Sequence, residues 1–222
     1  MMRAYFVAGT DTEIGKTWCS AALLRSAQAA GFSSLGLKPV AAGAEFIDGQ
    51  WQNEDAIALR EASSVRLAYG RHNALCLKQA MAPHLAAQQS AVSIDTDSLL
   101  RELKRTMAES GADFCVVEGA GGWRVPLVDG FAMSELAKAL ALPVILVVGM
   151  RLGCLNHAQL SAEAIIRDGL HLAGWVANEL EPKMSCLDEN IQSLQQLLPA
   201  PMLARVAWGQ QSLDINKVLE EQ

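Results

Sequence analysis

Short, wholly apolar runs alternate along this chain with longer stretches whose apolar residues recur at helical spacing. The runs Ala4–Ala8, Leu35–Lys38, Phe114–Glu118, Val144–Val148, Leu172–Ala177 and Met202–Ala207 read as strands. Most lack the in/out alternation of a half-solvated sheet, the pattern of strands buried on both faces. Between them, Lys16–Ala30, Asp55–Ser63, Ser98–Glu109, Met133–Leu140, Ala158–Asp168 and Leu187–Leu198 read as helices. Strand-then-helix repetition predicts an α/β fold, a mostly parallel sheet with crossover helices on both faces.

The punctuation agrees with this division. Gly31, Gly111 and Gly169 each stand between a helix and the next strand, where a residue free to adopt the left-handed conformation closes a helix. Asp95 or Asp97 is placed to cap the helix that carries Leu99, Leu100, Leu103 and Met107 at core spacing. No internal repeat, low-complexity tract or linker interrupts the pattern, so a single domain over residues 1–222 is expected.

Composition narrows the classes. Hydrophobic residues make up 51% of the chain, ample for a sheet covered on both sides. The net charge is −6 and the basic residues are scattered singly, without the stripe that nucleic-acid binding requires. The five cysteines form no C-x-x-C pair or metal-ligand spacing. Structural thiols in a reducing cytoplasm are the expectation. The N-terminus runs directly into a strand pattern without a signal layout. The apolar runs are too short to span a membrane.

The sharpest chemical signal follows the first strand. Gly9-Thr10-Asp11-Thr12-Glu13-Ile14-Gly15-Lys16-Thr17 opens the first helix, the strand–loop–helix context of a phosphate-binding P-loop. In such a loop, backbone N–H groups and the helix N-terminus attract phosphate oxygens. Lys16 would reach the β- and γ-phosphates, and the Thr17 hydroxyl would face Mg²⁺. Five residues, rather than the usual four, separate Gly9 from Gly15. A chance Gly-Lys-Thr is the alternative, disfavoured by the position after the strand.

A P-loop also needs an acid for the metal. Glu118, at the end of an apolar strand and just before Gly119-Ala120-Gly121-Gly122, is the candidate. Ligands of open α/β sheets bind beyond the carboxyl ends of the strands, where Lys38 and Asn178 are also expected. A solvated loop lysine and a turn-capping asparagine are their respective alternatives.

Together these segments resemble dethiobiotin synthetase. The resembling stretches are GTDTEIGKT at 9–17, KPVAAG at 38–43, NEDA at 53–56, APH at 82–84, EGAGGW at 118–123, PVILVVG at 143–149, LGCLNHA at 152–158 and GWVAN at 174–178. The resemblance implies a P-loop NTPase-type fold and a reaction joining 7,8-diaminopelargonic acid, CO₂ and ATP into dethiobiotin, ADP and phosphate. It implies that Glu13, Ile14, Gly15, Lys16 and Thr17 hold the triphosphate, with Gly119, Ala120 and Gly121 beside the nucleotide. Thr17, Asp55 and Glu118 would hold Mg²⁺, while Lys16 and Lys38 neutralise charge on the carbamate and phosphoryl oxygens. Asn178 and Glu179 would read the base, with Val206, Ala207 and Trp208 nearby. The family is homodimeric, which implies that Gly153 and Asn156 contact substrate held by the partner chain.

Several positions depart from the family pattern. Ala42 and Ala82 stand where the family usually has hydroxyl residues, Arg151 where it has lysine, and Glu179 where it has aspartate. The phosphate and metal positions are intact. Two rivals are a partitioning or septum-placement ATPase and a divergent P-loop ligase acting on another diamine. The first carries a second lysine five residues before the P-loop lysine, where this chain has Asp11.

Overall fold

The fold is given by a computed structural model that describes residues 2–211 and Val218. The chain begins with β1 (Arg3–Gly9), α1 (Lys16–Ala29), β2 (Ser34–Leu37), β3 (Val40–Ala42), β4 (Glu45–Ile47), β5 (Gln50–Gln52) and α2 (Glu54–Ala62). It continues with α3 (Tyr69–His72), β6 (Leu75–Leu77), α4 (Pro83–Gln89), α5 (Thr96–Glu109), β7 (Phe114–Gly122), β8 (Pro126–Val128) and β9 (Phe131–Ala132). α6 (Met133–Leu140), β10 (Val144–Met150), α7 (Cys154–Arg167), β11 (Leu172–Glu179), α8 (Leu187–Leu197) and β12 (Met202–Val206) follow.

Six strands form one parallel sheet in the order β12-β11-β10-β1-β7-β2. β1 lies in the middle, with Phe6 opposite Val144 on one side and Val117 on the other. Residues alternate between two cores, as period-two strand geometry requires. Phe6, Ala8, Cys115, Val117, Val144, Leu146 and Val148 belong to one core, beneath α5, α6, α7 and α8. Tyr5, Val7, Phe114, Val116, Ile145 and Val147 belong to the other, beneath α1 and α2. Burial on both faces is why the strands read as continuous apolar runs.

The six expected strands and six expected helices are all present, with instructive differences at their ends. β7 continues to Gly122 instead of stopping at Glu118, because Gly119–Gly122 bring no bulky side chain and Gly122 can pair with Gly9. Asn178 lies inside β11, opposite Gly149, rather than after the strand. Lys38 stands one residue beyond β2. α7 starts at Cys154, a turn before Ala158, behind Gly153 in the left-handed conformation. Gly31, Gly111 and Gly169 have φ of 90°, 67° and 82°, as expected of helix-closing residues. Asp95, not Asp97, caps α5 by accepting a bond from the Ser98 N–H.

The small elements between residues 40 and 89 escaped the pattern. β3 pairs with β6, β4 with β5, and α3 and α4 span only four and seven residues. Runs that short carry too few apolar repeats to register as a period. All five cysteines are free; Cys19, Cys115 and Cys154 are buried, while exposed Cys186 fills no core position. Among the described residues, no helix is long and apolar enough to cross a membrane.

Candidate active site around the P-loop

The loop after β1 lies at the carboxyl ends of the strands, beside the sheet's central strand. Thr10 is still tied to the sheet, its N–H donating to Val147 O at 3.1 Å. The loop then turns through two left-handed residues, Glu13 (φ 57°) and Gly15 (φ 77°). Glu13 absorbs the fifth residue between Gly9 and Gly15, a conformation a non-glycine side chain adopts only under local constraint. At Gly15 a Cβ would stand 2.1 Å from Asn178 Nδ2, so only glycine fits. At Gly9 a Cβ would meet Lys16 Cδ at 2.8 Å; its absence lets the lysine stem lie across the strand end. Ile14 is buried and contributes its carbonyl, which accepts from Asn178 Nδ2 at 2.9 Å.

Two basic and two acidic side chains converge here. Lys16 is buried and its Nζ donates to Asp11 O at 2.9 Å. Burial, and then the neighbouring Lys38 charge, bring its pKa down to about 8. Lys38 Nζ donates to Glu118 Oε1 at 2.6 Å and to Gly119 O at 3.1 Å, and lies 3.0 Å from Asp55 Oδ2. Burial opposes its charge, but the Glu118 and Asp55 carboxylates outweigh it and hold the ammonium above the ordinary lysine range. Burial likewise works against ionised Asp55, yet Lys38 and the Thr17 hydrogen bond keep its carboxyl below the usual carboxylate range.

Thr17 Oγ1 lies 2.7 Å from Asp55 Oδ1 and 2.8 Å from Glu118 Oε1. A hydroxyl has one proton to donate, so it satisfies one of these carboxylates and only touches the other. Glu118 Oε2 is buried without a hydrogen-bond partner among the described residues. A hydroxyl, two carboxylates and an unsatisfied carboxylate oxygen are the hard oxygen donors that Mg²⁺ prefers. The residues present therefore fit that ion.

Two cavities flank the loop. One, of about 550 Å³, is lined by Thr12, Lys16, Thr17, Lys38 and Asp55, with Ala42, Ala82, Ala120 and Gly121 among its other walls. The second, of about 510 Å³, is lined by Trp18, Asn178, Glu179, Leu180, Ala207 and Trp208. Glu13 and Gly15 border both, so the two are adjoining halves of one groove. Because Asn178 spends an N–H on Ile14 O, the amide is fixed by the loop it faces. Glu179 Oε1 accepts from Arg205 Nε at 2.6 Å.

Most of the expected site residues meet in this groove; six do not line it. Ile14 is buried behind the loop, and Glu118 is fully buried, reaching the groove only through Thr17 and Lys38. Val206 is fully buried in the core under α1, because its β12 position turns it inward. Gly119 is packed against Phe6 and Met133 and serves through its carbonyl on Lys38. Gly153 and Asn156 sit on the exposed start of α7, outside both cavities. Trp18 was missed: an aromatic two residues after the P-loop lysine was the available signal. Thr12 also lines the groove.

Comparison with known proteins bears on the family and the fold. A family model described as AAA domain matches residues 3–214. ATP-dependent dethiobiotin synthetase of Pseudomonas aeruginosa is 53% identical over 205 residues, covering 92% of this chain and 90% of that protein. Its counterpart from Aromatoleum aromaticum is 52% identical over 204 residues, with the same 92% and 90% coverage. Among solved structures, the septum site-determining protein MinD of Pyrococcus horikoshii, complexed with Mg-ADP, is similar at a TM-score of 0.57 and 16% identity. That match covers 93% of this chain and 82% of MinD. A ParA family ATPase of Chlorobium tepidum matches at TM-score 0.57 and 13% identity, over 93% of this chain and 84% of that one. At that identity the likeness shows the P-loop fold alone. With half of its residues shared over nearly its whole length, the chain belongs to the dethiobiotin synthetase family, ATP-dependent ligases of biotin biosynthesis.

Proposed function

We propose that the groove on either side of the P-loop carries out the family's ring closure on 7,8-diaminopelargonic acid, CO₂ and ATP. The observation that carries this reading is the Lys38–Glu118–Asp55–Thr17 cluster beside Lys16, whose Lys38, Asp55 and Thr17 line one of the two adjoining cavities. One substrate amine takes up CO₂ as a carbamate, whose oxygen attacks the γ-phosphate. The second amine then attacks the activated carbonyl and expels phosphate, closing the ureido ring. This path needs in-line placement and positive charge more than a covalent group from the protein.

In this reading the cavity with Trp18, Asn178, Ala207 and Trp208 takes the base, and the P-loop takes the phosphates. The other cavity takes the carbamylated diamine, against Ala42 and Ala82. Lys16 holds the β- and γ-phosphates. All three N–H bonds of Lys38 have partners, so a phosphoryl oxygen must replace one; the contact to Gly119 O, at 3.1 Å, is the longest. Thr17, Asp55 and Glu118 would hold Mg²⁺, which when bound supplies positive charge beside the phosphates. A single domain and a homodimer in the cytoplasm complete the reading, with Gly153 and Asn156 of α7 reaching substrate in the partner's groove.

The test is incorporation of labelled bicarbonate with the diamine, with and without ATP. ATP-dependent incorporation that Lys38→Met abolishes supports the reading; incorporation unaffected by that change sinks the assignment of Lys38. One observation favours a second substrate: Ala42 and Ala82, both lacking the family's hydroxyl, line the same cavity. No incorporation with this diamine, but incorporation with a longer or more apolar one, would establish that alternative.

A further inference from the structure

The two opposed charges at the heart of the groove, Lys38 and Asp55, stand on different segments, and nothing in their local sequence holds one against the other. A buried network does. The Lys38 N–H donates to His72 O at 2.7 Å, and Lys38 O accepts from Asn73 Nδ2 at 2.7 Å. Both backbone groups of the lysine are therefore held by the end of α3. The same Asn73 accepts at Oδ1 from Tyr69 OH, 2.9 Å away. The Tyr69 oxygen in turn accepts from the Asn53 N–H at 2.8 Å.

Asn53 is the cap of α2. Its Oδ1 accepts from the N–H groups of Asp55 (3.0 Å) and Ala56 (3.4 Å), and its Nδ2 donates to Gly43 O at 3.0 Å and Ala42 O at 3.3 Å. The cap thus aims Asp55 and also holds the Ala42–Gly43 wall of the cavity. Tyr69, His72, Asn73 and Asn53 are all buried, between 1% and 7% exposed, so these bonds are shielded from competing water. The His72 ring is pinned as well, with Nδ1 at 2.7 Å from Gly36 O and Nε2 accepting from the Leu67 N–H at 3.1 Å. Burial, with the Arg60 charge as a lesser cause, lowers its pKa. The neutral ring thus donates at Nδ1 and accepts at Nε2.

We infer that Tyr69 and Asn73 are positioning residues, setting the distance between Lys38 and Asp55 through one continuous chain of hydrogen bonds. The inference rests on the proposed roles of Lys38 and Asp55. Neither Tyr69 nor Asn73 lines the groove. Their effect must pass through the lysine backbone and the α2 cap. Because the Tyr69 hydroxyl is both donor and acceptor, removing it unpairs both sides at once.

Tyr69→Phe keeps the ring packing and deletes only that oxygen. The expected result is a fall in kcat of roughly 10- to 100-fold, the scale of a small misplacement in an organised site. The Mg²⁺ midpoint for activity should rise, with KM for ATP nearly unchanged. Asn73→Ser should give the same pattern, and the double variant should cost less than the product of the singles, since both break one network. Leu194→Ala, in α8 next to the opposite edge strand, is the stability control. It should lower Tm without moving the Mg²⁺ midpoint. Wild-type kcat and Mg²⁺ midpoint in folded Tyr69→Phe would overturn the inference, as would an equal midpoint shift in Leu194→Ala. Lys38→Met run in parallel separates the two levels. If it stays active, the site assignment fails and the inference with it; if it is inactive while Tyr69→Phe is normal, only the positioning role fails.

Discussion

At the scale of single residues, the groove is a balance of buried charges, and the pKa of Lys16 is its most accessible readout. In its proposed role the lysine binds phosphate as the ammonium, and burial brings its pKa in the free protein down to about 8. ATP affinity should therefore hold below that pH and weaken as pH rises through it. A titration calorimetry series from pH 6.5 to 9.5 checks this. Lys16→Arg, always charged but differently shaped, should bind more weakly and lose that pH dependence. Lys38→Met should leave ATP binding intact and lower turnover by roughly 10²–10³, as loss of one preorganised electrostatic contact does. On the diamine side, Ala42→Ser with Ala82→Ser should lower KM about two- to tenfold per restored hydrogen bond, with kcat nearly unchanged. A rise in KM instead would show that the cavity is shaped for another substrate.

At the scale of elements, the P-loop and β11 interlock: Asn178 fills the space that a Cβ on Gly15 would need. Gly15→Ala meets both that clash and a φ of 77°, so nucleotide binding should be lost while the sheet still forms. Calorimetry with ATP beside circular dichroism of the same sample checks this. Adding Asn178→Ala relieves the clash but not the backbone strain, and should restore binding only in part. The cap of α2 is a second lever. Asn53→Ala should cost about 0.5–2 kcal/mol of stability as an ordinary cap, and also lower turnover, because this cap aims Asp55.

At the scale of the whole molecule, two buried cores share one sheet, and a groove crosses its carboxyl edge. One domain should melt in one transition. ATP at about 100 times its Kd should add about 2.7 kcal/mol, or roughly 5–10 °C in Tm. Two transitions, or a shift in only part of the signal, would contradict a single domain. The proposed homodimer has a candidate surface at α7, where Leu160 is 57% exposed beside exposed Asn156, and Leu152, just before the helix, is 99% exposed. Asn156 and Leu160 stand four residues apart on one helix face. Leu160→Asp should yield a monomer by sedimentation, with KM for the diamine raised and ATP affinity kept. An unchanged sedimentation coefficient would remove α7 from the interface.

The amino-acid sequence by itself determined the α/β alternation, the six central strands and the phosphate loop, because each rests on local periodicity or a contiguous motif. Lys16, Thr17 and Glu118 were legible for the same reason: each adjoins a glycine turn at the end of an apolar run. The tertiary structure alone decided which distant groups face one another. It joined Thr17 to Asp55 and Glu118, and Lys38 to Asn73, across separations of 38, 101 and 35 residues. It turned Val206 into the core and brought Trp18 and Trp208 into the walls of one cavity. Such pairings depend on strand order and on how two segments cross, and a hydrogen bond between remote residues leaves no period in the chain for a local reading to find.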